Sequence, residues 1–298
     1  MKEIIVHPLP ILITELVDSP IPAPHADDIV IKVAVAGSNV KDWAHITAMK
    51  LSINSGDDTA GIVYALGKDA AKTGEFHIGD RVAAFHPMLT AGGAYAEYVV
   101  ALAHTLFKLP VATSFEASSA LGCFVIKLAK ASNIHPIIAI CGGTTQHVSS
   151  LLDRAQGDSI VDYRQGTEAM KESVSKILRD LKAAHALDCI SAKGTWVPLA
   201  QMLELGGQVS VVSGANAYDE PEIPRNVAIK YTYVGAAHSG GYKPSMPKQP
   251  SDKALVGSAP EFAFVFFRYI ARMLAQGKFE GHPYEVVPGG LNGVKVGL

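Results

Sequence analysis

The sequence predicts an α/β protein in two parts, a β-rich amino-terminal domain followed by a doubly wound parallel sheet. Two changes of pattern and one bulk property point there. Over residues 1–112, short apolar runs such as "DIVIKVAVAG", "AGIVYALG", "DRVAAF" and "AYAEYVV" alternate with Gly, Asp and Pro turns. From about residue 118, continuous apolar strands alternate with helical patterns, as in a parallel sheet covered on both faces. The 298 residues, 48% of them hydrophobic, supply the core for two domains of ordinary size.

The elements of the second part follow in order. A helix "SALGCFVIKLAKAS" leads to a strand "PIIAICG", a helix "QHVSSLLDRA", a strand "SIVDY", a helix "GTEAMKESVSKILRDLKAA" and a strand "ALDCIS". A helix "TWVPLAQML", a strand "GQVSVVSG" and a further strand in "KYTYVGAA" complete the alternation. After a Pro- and Lys-rich loop comes an aromatic helix, "FAFVFFRYIARMLAQGK". The last residues, "HPYEVVPGGLNGVKVGL", begin as a strand and end in a helical pattern. No long helical periodicity marks the first part. The expected domains are 1–112 (β-rich, catalytic), 113–277 (nucleotide-binding) and 278–298 (a segment returning to the first domain).

Composition excludes several function classes. A net charge of −2 with no block of Lys or Arg leaves no electrostatic footprint for nucleic acid or an anionic membrane. The run "PEFAFVFFRYIARML" carries Arg268 and Arg272 and is too short to span a bilayer. The start of the chain, interrupted by Glu3, Pro8, Pro10 and Glu15, lacks the apolar core of a signal peptide. Cys123, Cys141 and Cys189 are odd in number and sit in apolar runs, as reduced core residues do. A cytoplasmic enzyme acting on a small molecule is the expectation.

The stretch "FEASSALGCFVIKLAK" at 115–130 supports two readings. Thr113 and Glu116 form a capping box that opens a helix. Equally, "SSALG" before "CFVIKLAKA" is a glycine turn of the kind that presents backbone N–H groups to a pyrophosphate.

The segments "AGSNVKDWAHI", "SGDDTAGIVYALG", "GEFHIGDRVAAF", "GGAYAEYVV", "SSALGCFVIKLAKA", "SIVDY", "GGQVSVVSG" and "PGGLNGV", in this order along nearly the whole chain, resemble the zinc-independent medium-chain dehydrogenases/reductases. The likeness is to their quinone oxidoreductase and fungal stand-alone trans-enoyl reductase branch. It implies a GroES-like β domain and a Rossmann-type nucleotide-binding sheet. Two departures matter. "FEA" runs straight into "SSALG", with no linker helix and no first strand of the nucleotide sheet, and Glu116 stands where the turn's first Gly is expected. The family also continues past the point matched by Leu298. A sheet without that strand exposes two edges, which predicts marginal stability and impaired cofactor binding.

The resemblance implies NADPH-dependent hydride transfer to the β-carbon of an alkene conjugated to a carbonyl, with protonation at the α-carbon. It places Asn39, Asp42 and Trp43, an "N-x-x-D-W" segment, at the nicotinamide and substrate cleft. Ala44 stands where relatives carry a Lys donor, leaving Lys41, His45, Tyr95 or water to supply the proton. The implied cofactor residues are Ser118, Ser119, Ala120, Leu121 and Gly122 in the turn, Gly142, Thr144 and Tyr163 at strand ends, Ser213 and Gly214, Val234 and Gly235, and Gly289 and Gly290. Arg154 and Arg164 are further phosphate candidates. The small, neutral strand end "AICGGTTQ" leaves room for a 2′-phosphate, which favours NADP(H) over NAD. No zinc site is expected: the β domain has no Cys, and Gly56-Asp57-Asp58 replaces the Gly-His-Glu of zinc relatives. His45, His77, His86 and His104 read as structural. The implied partners are an enone, enoyl or quinone substrate and a polyketide synthase, with the chain a monomer or homodimer. The alternative is a non-catalytic remnant that binds a protein partner.

Overall fold

The computed structural model describes residues 1–8, 10–115, 121–179, 181–238, 253–281 and 284–298. The chain divides into two compact units: Met1–Ser119 with Gly235–Tyr242 and Ala254–Leu298, and Ala120–Val234 with Lys243–Lys253.

In the first unit, β1 (Lys2–His7) and β2 (Ile13–Asp18) form an antiparallel pair. Strands β3 (Asp28–Ala36), β4 (Asp58–Leu66), β5 (Arg81–Phe85), β6 (Tyr98–Leu102) and β7 (Leu106–Lys108) form an antiparallel sheet ordered β6-β3-β4-β5-β7. Alternation of apolar residues sends one face of these strands inward, where Ile29, Ile31, Val63, Val82, Val99 and Leu106 are fully or almost fully buried. Gly61 is required where β4 crosses β3, since a Cβ there would lie 2.1 Å from the Lys32 carbonyl oxygen. Two helices interrupt the strands, α1 (Lys41–Met49) and the short α2 (Lys68–Lys72). The sequence pattern missed α1, whose nine residues include only two buried positions, Asp42 and Ile46.

In the second unit, α3 (Leu121–Ala131) precedes β8 (Ile138–Cys141), α4 (Thr145–Leu151), β9 (Ser159–Asp162) and α5 (Thr167–Leu178). Then follow β10 (Ala183–Asp188), α6 (Trp196–Gln201), β11 (Leu203–Val211) and β12 (Ala228–Tyr231). The expected α/β alternation is present, with β10 starting inside the residues read as the end of a helix. All pairings are parallel. Among the described residues they form two separate ladders, β8-β9 and β10-β11-β12. Residues 116–120, which hold Glu116 and most of the glycine turn, lie outside the described residues, as does the first strand's place in the order.

The aromatic helix α7 (Lys253–Ala275) begins earlier than expected and carries Pro260 inside it. Its residues from Ala254 on belong to the first compact unit. There the Arg268 guanidinium donates to Glu75 (2.7 Å) and to the carbonyls of Ala103 (3.2 Å) and His104 (3.1 Å). Of the strand expected in "PYEVV", the described residues Tyr284–Val287 are exposed and form no ladder. A 3-10 turn (Gly290–Gly293) and the short α8 (Val294–Gly297) follow. Leu291, Val294 and Leu298 pack against Ile4, Val6, Ile46 and Tyr95 of the first unit. No described helix is long and apolar enough to cross a membrane.

Candidate active site

The first turn of α1 is built by Asn39 and Asp42. The Asp42 carboxylate accepts from the Asn39 backbone N–H at 3.0 Å, a local bond that fixes the helix start and places an acid where the helix dipole favours one. Asp42 is 1% exposed, and its oxygens also accept from the Tyr95 hydroxyl (2.6 Å) and the Lys41 ammonium (2.6 Å). Tyr95 reaches Asp42 from a distant loop because Gly56 lets the ring lie on its backbone; a Cβ at Gly56 would come within 3.0 Å of the ring.

Lys41 bridges two carboxylates, donating to Asp42 and, in a short contact, to Asp57. Its side chain is 19% exposed, against 2% or less for both partners. Burial alone would lower the Lys41 pKa, but the Asp57 and Asp42 charges beside it together outweigh burial and leave it raised. The Asn39 side-chain amide donates to Asp58 at 2.8 Å, and burial raises the Asp58 pKa despite that bond. Burial also raises the Tyr95 pKa, and its hydrogen bond to the Asp42 carboxylate adds to this, so the phenol stays protonated and its proton is committed to Asp42. His45, one turn beyond Lys41, has its pKa lowered by burial and then by the Lys41 charge, and its Nδ1 is buried without a partner.

The structure therefore brings Asn39, Lys41 and Asp42 into one network. Trp43, half-buried on α1, is adjacent in sequence and has no hydrogen bond into it. The network's other members, Asp57, Asp58 and Tyr95, were not singled out together from sequence. The sequence signals were the adjacent pair in "GDD" and Tyr95 as a candidate proton donor. What unites them is chain crossing: Asp57 ends the loop into β4, where its carbonyl accepts the His86 N–H at 2.7 Å.

For the cofactor set, the carboxyl ends of β8 and β9 bring Gly142 and Tyr163 together. The Tyr163 ring covers Gly142 so closely that a Cβ there would meet it at 2.8 Å, while Gly143 has open space around it. Thr144 is exposed and Tyr163 is half-exposed. At the end of β11, Gly214 lies under the Tyr231 ring, and the Ser213 carbonyl accepts from the Tyr218 hydroxyl at 2.5 Å. Val234 and Gly235 start a 3-10 turn, in which Gly235 is buried. Gly289 and Gly290 both adopt positive φ, at +104° and +57°, in exposed chain ahead of α8. Leu121 and Gly122 open α3, and Ser118, Ser119 and Ala120 lie outside the described residues. Arg164 is held by Asp162 (2.6 Å), and Arg154 donates to the Asp158 carbonyl (3.1 Å). A glycine strand end topped by an exposed aromatic ring, with a neutral Gly-Thr loop beside it, fits the adenosine half of a nicotinamide dinucleotide.

Among the described residues no three His, Cys, Asp or Glu side chains are grouped to hold a metal ion, and the three cysteines are free.

The alcohol dehydrogenase GroES-like domain family matches residues 25–111. Trans-enoyl reductase fsr4 of Gibberella fujikuroi is 32% identical over 337 aligned residues, covering 98% of this chain and 92% of that protein. Since the chain has 298 residues, the 337-residue alignment opens gaps within it. Quinone oxidoreductase of Pseudomonas syringae pv. tomato superposes with a TM-score of 0.69 at 19% identity, covering 100% of this chain and 95% of that one. A mycobacterial protein solved in complex with NADPH gives a TM-score of 0.63 at 19% identity, covering 94% of this chain and 90% of that one. These two likenesses concern the fold.

Proposed function

Because this chain belongs to the medium-chain dehydrogenase/reductase superfamily, in the branch of the fungal trans-enoyl reductases and quinone oxidoreductases, we propose that it uses NADPH to reduce a C=C bond conjugated to a carbonyl. The substrate is an enoyl or quinone-type compound, presented in the cytoplasm and, for enoyl chains, by a polyketide synthase. The bound cofactor supplies a hydride to the β-carbon. The chain's own residues orient the substrate and deliver a proton to the α-carbon.

The observation that carries this reading is the Lys41 ammonium, held by Asp42 and Asp57 with its side chain still partly exposed. It supplies the donor that Ala44 cannot. The Tyr95 proton is engaged by Asp42, and His45 is held neutral by burial, so neither competes for the role. The preference for NADPH rests on the uncharged Gly143 and Thr144 at the end of β8.

Calorimetry with the 298-residue chain, NADPH against NADH, is the first test. Micromolar, NADPH-selective binding and NADPH oxidation by an enoyl thioester are expected, and Lys41→Met should lower kcat by about 10²-fold or more with the NADPH Kd unchanged. The division of the second unit's strands into two ladders among the described residues favours a second reading, a folded chain that has lost turnover. A folded chain that binds neither nucleotide would select it.

A further inference from the structure

Asp57 differs from its neighbour Asp42 in how its oxygens are used. Asp42 accepts from Lys41, Tyr95 and the Asn39 backbone, whereas Asp57 Oδ2 meets Lys41 alone and Asp57 Oδ1 is buried with no partner. A fully ionised, 2% exposed carboxylate with one oxygen orphaned is costly, and the cost falls when the carboxyl takes up a proton, which can sit on Oδ2 facing Lys41. The surroundings reinforce this. One ammonium, Lys41, faces three carboxyl groups, Asp42, Asp57 and Asp58; the other titratable groups that approach are Tyr95, His45 on α1 and His86, which contributes its backbone N–H. Burial raises the Asp57 pKa to about 7, against the pull of Lys41 and with Asp42 and Asp58 adding to the rise.

We infer that Asp57 stores the proton the reaction consumes and hands it to Lys41, the partly exposed member of the pair, as Lys41 protonates the substrate. This rests on the reductase reading above. The balance is simple. Hydride adds to the β-carbon and leaves an enolate, a Lys41 N–H bond breaks as the α-C–H bond forms, and the Asp57 O–H bond breaks as the Lys41 N–H bond is restored. Water then reprotonates Asp57. Asp57 acts through Lys41 and is a positioning and relay residue.

Two readouts test it on the full chain. One is an infrared pH titration of the protein alone, following the C=O stretch of a protonated carboxyl. The other is the pH profile of kcat with NADPH and crotonyl N-acetylcysteamine thioester. The carboxyl band of the wild type should vanish as pH rises through about 7 and be missing in Asp57→Asn. Above that pH, kcat should fall about tenfold per unit in the wild type. Asp57→Asn should be slower with that limb gone, and Asp57→Glu should restore a limb at a shifted pH. Lys41→Met should keep the band and lose turnover. A wild type without the neutral-pH band, or an Asp57→Asn variant that keeps the falling limb, overturns the relay. A titrating band with no turnover on any enoyl thioester overturns the reductase reading and the relay with it, leaving a buried proton alone.

Discussion

Burial opposes charge of either sign, and His238 and Asp57 in the first unit experience it in opposite senses. His238, 4% exposed, donates from Nε2 to the Phe85 carbonyl at 3.0 Å and packs its ring on that of Phe85. Burial pushes its pKa down to about 4, with the Phe85 bond opposing and His86 and His104 adding to the fall. The unfolded chain therefore takes up this proton first, so the stability His238 contributes is complete above about pH 6.5 and is lost as pH falls toward 4. The loss is on the order of 3 kcal/mol. Asp57 has the reverse sign. Its native carboxyl keeps a proton that the unfolded chain releases near 3.8, so its contribution is present at low pH and is lost as pH rises toward 7. Thermal melts between pH 7 and 4 should show His238→Gln less sensitive to acid than the wild type and Asp57→Asn more sensitive. Parallel curves for all three would contradict both assignments.

At the scale of the element, a strand end is defined as much by what lies over it as by its own residues. Gly142 closes β8 beneath the Tyr163 ring that follows β9, and Gly143, next in the chain, faces open space. Gly142→Ala must displace the ring and is expected to weaken NADPH binding about tenfold or more with a stability loss of about 1–3 kcal/mol. Gly143→Ala should leave both nearly unchanged. Calorimetry and melts of the pair decide it, and equal effects would remove Tyr163 from the site. The same dependence on neighbours explains what the sequence left hidden. Strands β8, β9 and β11 of the second unit were legible because each carries its own Ile or Val residues, as in Ile138–Cys141, whereas β10, AAHALD, has none and its start was read as the end of a helix. Helix α1 was not legible, because its two inward positions are an Asp and an Ile and its start is set by Asn39 and Asp42 bonding each other. "PYEVV" has the alternation of a strand, yet its described residues Tyr284–Val287 form no ladder and Val286 is 63% exposed, since a pattern makes a strand only where a partner strand meets it. At the site, "N-x-x-D-W" was readable as a motif, while the convergence of Tyr95 and Asp57 on it depends on Gly56 and on loops crossing, which spacing does not encode.

At the scale of the whole molecule, the two units hold their strands together to different degrees. In the first, five antiparallel strands share one continuous buried cluster. In the second, the buried residues fall into separate groups, one around Trp196 and Val209, one around Ile126 and Val148, and one around Val161 and Met170. The β8-β9 ladder holds only four register pairs, and a two-stranded sheet gains little stability from its own hydrogen bonds. Local opening should therefore cost least there. Native-state hydrogen exchange is expected to find the amides of Ile138–Cys141 and Ser159–Asp162 exchanging at least about tenfold faster than those of β3 and β4. If Gly142 and Tyr163 contact the nucleotide, saturating NADPH should slow exchange at β8 and β9 selectively, by a factor that grows with ligand concentration as binding to the closed form requires. Uniform protection across both units without nucleotide would mean that the two short ladders are held by more than their own pairing. Protection that rises in β3 and β4 but not in β8 and β9 would move the nucleotide away from the strand ends that Gly142 and Tyr163 occupy.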